Sequence, residues 1–241
     1  MRITTTVLVF LFVAGTLLAD FETSLMKTGL EFITRPNDFF IELNTDTENL
    51  IPTPGQKKFQ VNTSLIWDLL TVGNIQVKYR AYKGDSVIPE ITPGFSYWNI
   101  VGLSFLPAED VSASAEGYTP FLTLARPMSD DLKFFGGIKY TMGSIKLNIK
   151  DIGDSGSGGT GLDFSNLAQI DSFYQELGIY AGINYLRISG KEVSAIIGYY
   201  PGIKKIFSKV QISSTVFDYG LSFFPDSFLL LHGYINIHVN L

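Results

Sequence analysis

The sequence predicts an all-β fold, an antiparallel up-and-down β-barrel of about ten strands, with eight and twelve strands remaining open. Two observations carry this prediction. Apolar and polar residues alternate along most of the chain, which is the period of a strand with two unlike faces. Turn residues separate these alternating runs, as at Lys83–Asp85 and Pro201–Gly202. We found no internal repeat and no interdomain linker, so residues 20–241 are predicted to form one domain.

The composition excludes several classes of protein. The 241 residues carry 18 Lys and Arg against 23 Asp and Glu, and only 17% of them are charged, below the share of about 25% in soluble proteins. The net charge of −5 has no basic block within it, which argues against nucleic-acid binding. The absence of cysteine excludes disulfides and thiolate sites. We predict no metal and no cofactor.

The first nineteen residues have the layout of a secretory signal peptide. Arg2 gives a positive start, an uncharged apolar run follows over residues 7–18, and Ala19 precedes the acidic Asp20. A run of this length is too short for a transmembrane helix, which needs about 20 apolar residues. Residues 1–19 are therefore predicted to be removed on export.

The predicted strand runs contain at least one error. Eleven runs qualify, at about 23–33, 38–45, 59–68, 75–82, 95–106, 118–126, 132–149, 173–187, 192–200, 208–223 and 229–241. A closed single-chain bacterial barrel has an even number of strands, so at least one run is wrong. The weakest are 23–33 and the long run 132–149, which holds a possible fold-back at Met142–Ser144.

A hairpin is predicted between two of these runs. Val72–Asn74 resembles a three-residue loop. That loop pairs Trp67 with Tyr79 on the apolar face and Asp68 with Lys78 on the polar face, so opposite charges lie across from each other.

The apolar faces are predicted to contact lipid. The polar faces are rich in Asn, Gln, Ser, Gly and Tyr and not in the Lys and Glu of a solvated surface. Aromatic residues gather near turns, at Phe39–Phe40, Tyr199–Tyr200 and Phe223–Phe224, where interfacial girdles belong. We therefore predict a transmembrane barrel. The alternative is a soluble exported β-barrel or sandwich, periplasmic or secreted, that binds an apolar ligand inside.

The last strand carries a family resemblance. Ile235, Ile237, Val239 and Leu241 occupy alternate positions up to the final residue. This ending resembles that of bacterial outer-membrane β-barrel proteins, which typically close on a terminal aromatic residue; Leu241 stands in its place. The resemblance implies insertion in the outer membrane, contact with outer-membrane lipid, and recognition of the terminal strand by the barrel-assembly machinery. A monomer is expected.

Eight polar residues are predicted to face the lumen: Asp68, Lys78, Arg80, Lys133, Lys139, Glu176, His232 and His238. Four of the six that are not histidine are basic. This charge pattern fits a narrow small-solute conduit with weak anion preference. It also fits an interlocked polar core with no open passage, in a structural or surface-interaction protein.

Enzymatic chemistry has a weaker basis in the sequence. His232 and His238 are six residues apart on one strand, roughly 20 Å, so they cannot share a metal ion. A membrane-embedded hydrolase using His232 remains an alternative, because Ser222 has the same parity on the preceding run. The Gly-rich segment 151–163 matches neither a calcium nor a phosphate loop and is predicted to be an exposed loop. We predict a non-enzymatic protein.

Overall fold

The structure is a computed structural model that describes residues 36–52, 58–65, 72–85, 87–100, 111–149, 169–186, 191–225 and 231–241. The chain divides into two compact units, residues 1–39 and residues 40–241, and the second contains the barrel. The predicted signal peptide, the 23–33 run, Asp68 and the Gly-rich segment 151–163 lie outside the described residues.

Ten antiparallel strands close into a barrel in sequence order, with β10 paired to β1. Within the described residues, the helix α1 (Pro36–Thr47) precedes them. The strands are β1 (Phe59–Ser64), β2 (Val72–Tyr79), β3 (Glu90–Ile100), β4 (Val111–Pro127), β5 (Leu132–Ile149), β6 (Gln169–Leu186), β7 (Glu192–Tyr200), β8 (Lys205–Ser213), β9 (Phe217–Phe223) and β10 (Leu231–Asn240). The predicted up-and-down barrel of ten strands is confirmed.

Two of the eleven predicted runs are corrected. Residues 38–45 lie in α1 and do not form a strand, although Phe39, Ile41 and Leu43 alternate. Each wall strand of a closed barrel is already paired on both edges, so a segment inside it satisfies its own backbone groups as a helix. The run 208–223 contains two strands, separated by Ser214–Val216. No helix in the described part of the chain has the length and apolar character needed to cross a membrane.

The predicted hairpin register is wrong. Tyr79 pairs with Phe59, and Lys78 pairs with Gln60, eight residues from the predicted partners. Val72–Asn74 belongs to β2 and forms no loop. The Asn74 side-chain amide holds this part of the strand against β1, accepting from Ser64 N at 2.7 Å and donating to Ser64 O at 3.2 Å. A shift by an even number keeps every side chain on its face, so alternation alone does not choose between the two registers.

The barrel is apolar outside, and its inside holds most of the buried polar side chains together with several aromatic ones. On β2, Ile75 is 49% exposed and Gln76 only 1%. The same alternation continues around the barrel, with exposed outward residues that include Phe95, Ile138, Ile179, Ile197, Val210, Leu221 and Val239. The predicted direction of the apolar faces is therefore confirmed.

Aromatic residues bound the apolar surface at both edges. At the edge nearer the end of β3, the rings of Tyr97 and Tyr118 lie 5.1 Å apart, and Tyr140 donates a hydrogen bond to Gln175 at 2.9 Å. At the opposite edge, where β1 starts, the rings of Phe59 and Tyr79 lie 4.8 Å apart. Such rows are typical of membrane–water interfaces.

The two ends of the barrel differ in their connections. We call one the loop end; its connections are residues 65–71, 101–110, 150–168, 201–204 and 224–230. The other, the turn end, is where β1 starts and β10 finishes, and its connections are residues 80–89, 128–131, 187–191 and 214–216. The longest connection is therefore at the loop end and the shortest at the turn end.

The inner surface contains tight glycine contacts, which predict a stability effect. Gly198 pairs with Phe207, and a Cβ added at Gly198 would lie 2.1 Å from Phe207 Cζ. At the outward-facing Gly233, an added Cβ would have its nearest described neighbour, Leu221 Cδ2, at 4.0 Å. Gly198→Ala is expected to lower the free energy of unfolding by about 1–3 kcal/mol, and Gly233→Ala to change it by less than about 0.5 kcal/mol. Urea unfolding in lipid vesicles measures both, and equal losses would contradict the prediction.

Candidate functional site: a plugged lumen

The lumen holds residues 41–52, which we call the plug. These residues comprise most of α1 and the five residues after it, and all are buried. Hydrogen bonds within the plug accompany the end of the helix. Thr47 Oγ1 donates to Leu43 O at 2.8 Å, and the Asn49 side chain accepts from Ile51 N at 3.1 Å. The chain then leaves the helix as a short irregular segment whose carbonyl groups point to the wall.

The helical part of the plug is bound to three strands through neutral hydrogen bonds. Asn44 Oδ1 accepts from Trp98 Nε1 at 2.8 Å and from Thr119 Oγ1 at 3.0 Å. Thr45 Oγ1 is hydrogen bonded to the hydroxyl of Tyr200 at 3.3 Å. Because Trp98 and Tyr200 are fully buried, these contacts satisfy polar groups that have no access to solvent.

A buried ion pair joins the plug to β5. Lys139 Nζ lies 2.7 Å from Glu48 Oε2, and neither side chain is exposed. The ammonium group also lies 5.0 Å from the centre of the Tyr200 ring and 4.8 Å from that of Phe207. The carboxylate and the two aromatic faces together compensate for removing this cation from water.

A second lysine caps the helix. Lys209 Nζ, on β8, donates to Thr45 O at 2.6 Å and to Glu48 O at 2.9 Å, and it lies 4.2 Å from the centre of the Tyr234 ring. A cation at the C-terminus of a helix satisfies its last carbonyl groups and interacts favourably with the helix dipole. Lys209 thereby binds the point at which the helix ends.

The segment after the helix is bound to the barrel wall near the turn end. Asn49 Nδ2 donates to Asp218 Oδ2 at 2.7 Å, and Asp218 Oδ2 lies 3.0 Å from His238 Nδ1. Gln76 Oε1 accepts from Asn49 N at 3.0 Å. These contacts connect one plug residue to β2, β9 and β10.

The last plug residues offer backbone carbonyl groups to the wall. Lys78 Nζ donates to Ile51 O at 2.8 Å, and Asn184 Nδ2 donates to Pro52 O at 2.8 Å. Because both acceptors are backbone carbonyl groups, these contacts bind the main chain of the plug to the lumen wall.

His232 faces the plug through both ring nitrogens. Nδ1 lies 2.8 Å from Asp46 Oδ2 and Nε2 lies 3.5 Å from Glu42 Oε2. Ser222 is its neighbour across the β9–β10 pairing, and within the described residues Ser222 Oγ has no hydrogen-bond partner. The nitrogens of His232 therefore face carboxylates, and the hydrogen bond that would activate a serine nucleophile is not formed.

Among the described contacts, those of Lys133, Glu176 and Arg80 lead to residues outside the plug. Lys133 Nζ lies 3.4 Å from Glu90 Oε2 with 34% of its side chain exposed. Glu176 Oε1 accepts from Gly202 N at 2.8 Å, in the β7–β8 connection. Arg80 directly follows β2, where its backbone N donates to Lys58 O at 3.0 Å. Asp68 lies outside the described residues.

The sequence analysis does not identify the plug residues that pair with charged residues of the barrel wall. Because it predicts a strand at residues 38–45, it offers no role for Glu42, Asp46 and Glu48 as counter-charges. Lys209 was also missed, although alternation with the outward Val210 places it inside. The available signal was charge complementarity: an acidic segment precedes a barrel whose inner wall is basic.

Comparisons with known proteins are sparse. No protein-family model matches the chain, and no curated protein matches it. The solved structures that are similar to it include the following two. Ail, the attachment invasion locus protein of Yersinia pestis, has 10% identity and a TM-score of 0.32, over 75% of this chain and 95% of that one. Neisserial surface protein A has 10% identity and a TM-score of 0.31, over 78% and 99%. The barrel assignment rests on its own strand pairing and burial.

Proposed function

We propose that this chain is a small integral barrel of the bacterial outer membrane, non-enzymatic, whose lumen is closed by its own plug and whose loop end serves structural or surface contacts. The observation on which this proposal rests is the inverted polarity: apolar side chains cover the outside, while the filled inside holds many buried polar and charged side chains beside aromatic ones. In water this arrangement would expose the apolar surface without compensation.

The height of the apolar band supports the membrane proposal. On β6 it runs from Leu177 to Tyr185, nine residues, and a transmembrane strand needs about 9–11. Above this band polar residues appear on the outward face, at Glu116, Ser144 and Asp171, while Phe173 on β6 is an exposed apolar exception. The three long strands β4, β5 and β6 therefore continue past the membrane surface at the loop end.

The orientation follows from the lengths of the connections. Outer-membrane barrels have short periplasmic turns and longer external loops, so the loop end is proposed to face outward. The lipid around the band and the assembly machinery that reads β10 are the proposed partners, and the barrel is proposed to be monomeric. No nucleic acid is involved, and no cofactor is required.

Membrane insertion is tested by extraction. We expect the protein to remain in the outer-membrane fraction after alkaline carbonate and high salt, and to migrate differently in SDS gels before and after heating, as closed barrels do. A cytoplasmic protein and a known outer-membrane barrel serve as controls. Release by carbonate would favour the soluble exported barrel.

The plug leads us to expect a closed channel in conductance measurements. In planar bilayers the purified protein is expected to show no steady stepwise current, because residues 41–52 occupy the lumen. Deletion of residues 41–52 is expected to produce discrete conductance steps, provided that the heat shift shows a folded barrel. Steady current through the unmodified protein would contradict the closed lumen and favour the conduit.

A further inference from the structure

The outward face of the barrel contains a groove across β6, β7 and β8. The groove has a volume of about 340 Å³, and apolar atoms form nearly all of its lining. One row of the lining consists of Ile179, Tyr199 and Ile206, which are paired across the three strands. Beside this row Ala181 contributes only a methyl group. The volume is within the range of about 300–1,000 Å³ that is typical of ligand pockets.

The groove lies in the half of the apolar band that is nearer the loop end. Ala181 is the middle residue of this band on β6, which runs from Leu177 to Tyr185. Ile179 is one outward position closer to the loop end, and β7 ends one residue after Tyr199. In the proposed orientation, this half of the band contacts the outer leaflet of the membrane.

A lysine with an unusual backbone conformation lies next to the groove. Lys204 is the last residue of the connection between β7 and β8, two positions before Ile206, and it is exposed. Its φ is 58°, and among the described residues it is the one non-glycine residue with a positive φ. This region of φ is unfavourable for a residue with a side chain, and such strained positions are concentrated at functional sites. The chain therefore keeps a basic side chain where glycine would be less strained.

The charge at this end of the groove differs from that of the neighbouring outward surface. Residues 199–206 contain two lysines and no acidic residue. The carboxylate of Glu176, which contacts this connection, accepts a hydrogen bond from Gly202 N at 2.8 Å. Outward positions above the band on other strands carry Glu116 and Asp171. An apolar groove beside a local positive charge is complementary to a lipid that carries both an acyl chain and a phosphate group.

We propose that this groove binds one acyl chain of lipid A, the phosphorylated lipid anchor of lipopolysaccharide, with a lipid phosphate group at Lys204. The proposal rests on the proposed membrane insertion and orientation. Lipopolysaccharide occupies the outer leaflet of a bacterial outer membrane, which the groove faces in that orientation. The apolar lining contacts the acyl chain, and the ammonium group attracts the phosphate at the membrane surface. The barrel thus has a specific lipid partner in addition to the bulk lipid around it.

Native mass spectrometry of the purified barrel in detergent micelles tests the proposal. The probes are lipid A, lipid A from which the phosphate groups have been removed, and phosphatidylglycerol. The heat shift in SDS gels shows that each sample is folded. We expect lipid A to bind more tightly than either of the other two lipids, because only lipid A combines its acyl chains with phosphate groups on the sugar anchor.

Two variants separate the groove from the charge. Ala181→Phe fills the groove, whereas Lys204→Asn removes the charge and keeps a residue that tolerates a positive φ. The loss of one lysine at the membrane surface is expected to weaken lipid A binding about fivefold, and filling the groove is expected to weaken it by at least the same factor. The controls are Ala195→Phe, at an outward position of β7 outside the groove, and Lys191→Asn at the turn end. Both controls are expected to bind lipid A like the unmodified barrel.

The outcomes separate this proposal from the proposed function. Equal binding of lipid A and phosphatidylglycerol would indicate general lipid contact, and a dimer that is lost in Ala181→Phe would indicate that a second copy covers the groove. Either result overturns the proposal, as does unchanged lipid A binding by Ala181→Phe or Lys204→Asn. Release of the protein from membranes by carbonate contradicts the proposed insertion, whereas an inserted barrel with no preference for lipid A contradicts the lipid site alone.

Discussion

Ile197→Lys is expected to lower the free energy of unfolding in a phospholipid bilayer by about 2–4 kcal/mol, the cost of a basic side chain at the bilayer midplane. Ile197 is 58% exposed and pairs with Ala181, which lies at the centre of the apolar band on β6. An ammonium group there has neither water nor a counter-charge within the hydrocarbon. Urea unfolding in phosphatidylcholine vesicles measures the change.

The matched control is Ser144→Lys, on the outward face of β5 and above the Tyr118–Tyr140 edge. That position is proposed to be in water, so its change is expected to stay within about 0.5 kcal/mol. Equal, small effects at both positions would mean that the apolar face is solvated, and the membrane proposal would be wrong.

Breaking the buried ion pair is expected to cost about 3–5 kcal/mol, because the partner that remains is a buried charge without compensation. Glu48→Gln leaves Lys139 facing a neutral amide, and Lys139→Met leaves Glu48 buried and charged. Neither side chain of the native pair is exposed. The same urea unfolding measures each variant, and bilayer conductance reports whether the plug has loosened.

The double variant separates the pair from its surroundings. Glu48→Gln with Lys139→Met removes both charges and is expected to be more stable than either single variant. Lys133→Met, whose lysine is 34% exposed in its contact with Glu90, is the control and is expected to cost at most about 1 kcal/mol. A double variant as unstable as the sum of the two single ones would show that the charges do not act as a pair.

The predicted number of ten strands follows from the even-number rule and not from the eleven runs, because the errors at 38–45 and 208–223 cancel and leave eleven. The run 38–45 has the pattern of a strand because its apolar residues alternate. The run 208–223 has the pattern of a single strand because the turn at Ser214–Val216 contains no glycine or proline. The hairpin register failed for a related reason. The true pairing and the predicted one differ by an even number of residues, and in the true pairing the side chain of Asn74 is hydrogen bonded to Ser64 of β1.

Alternation in the sequence was sufficient to predict most of the wall strands, their two unlike faces and the inversion of those faces, because each depends on the local period of two and on the overall shortage of charge. It also predicted a strand at residues 38–45, which are helical. The occupant of the lumen was not accessible to such reasoning. Whether residues 41–52 form a wall strand or a plug depends on closure of the barrel by β1 and β10, which leaves no free edge for another strand. Only the folded chain brings Glu48 to Lys139 and Asp46 to His232, since those contacts join residues more than ninety positions apart.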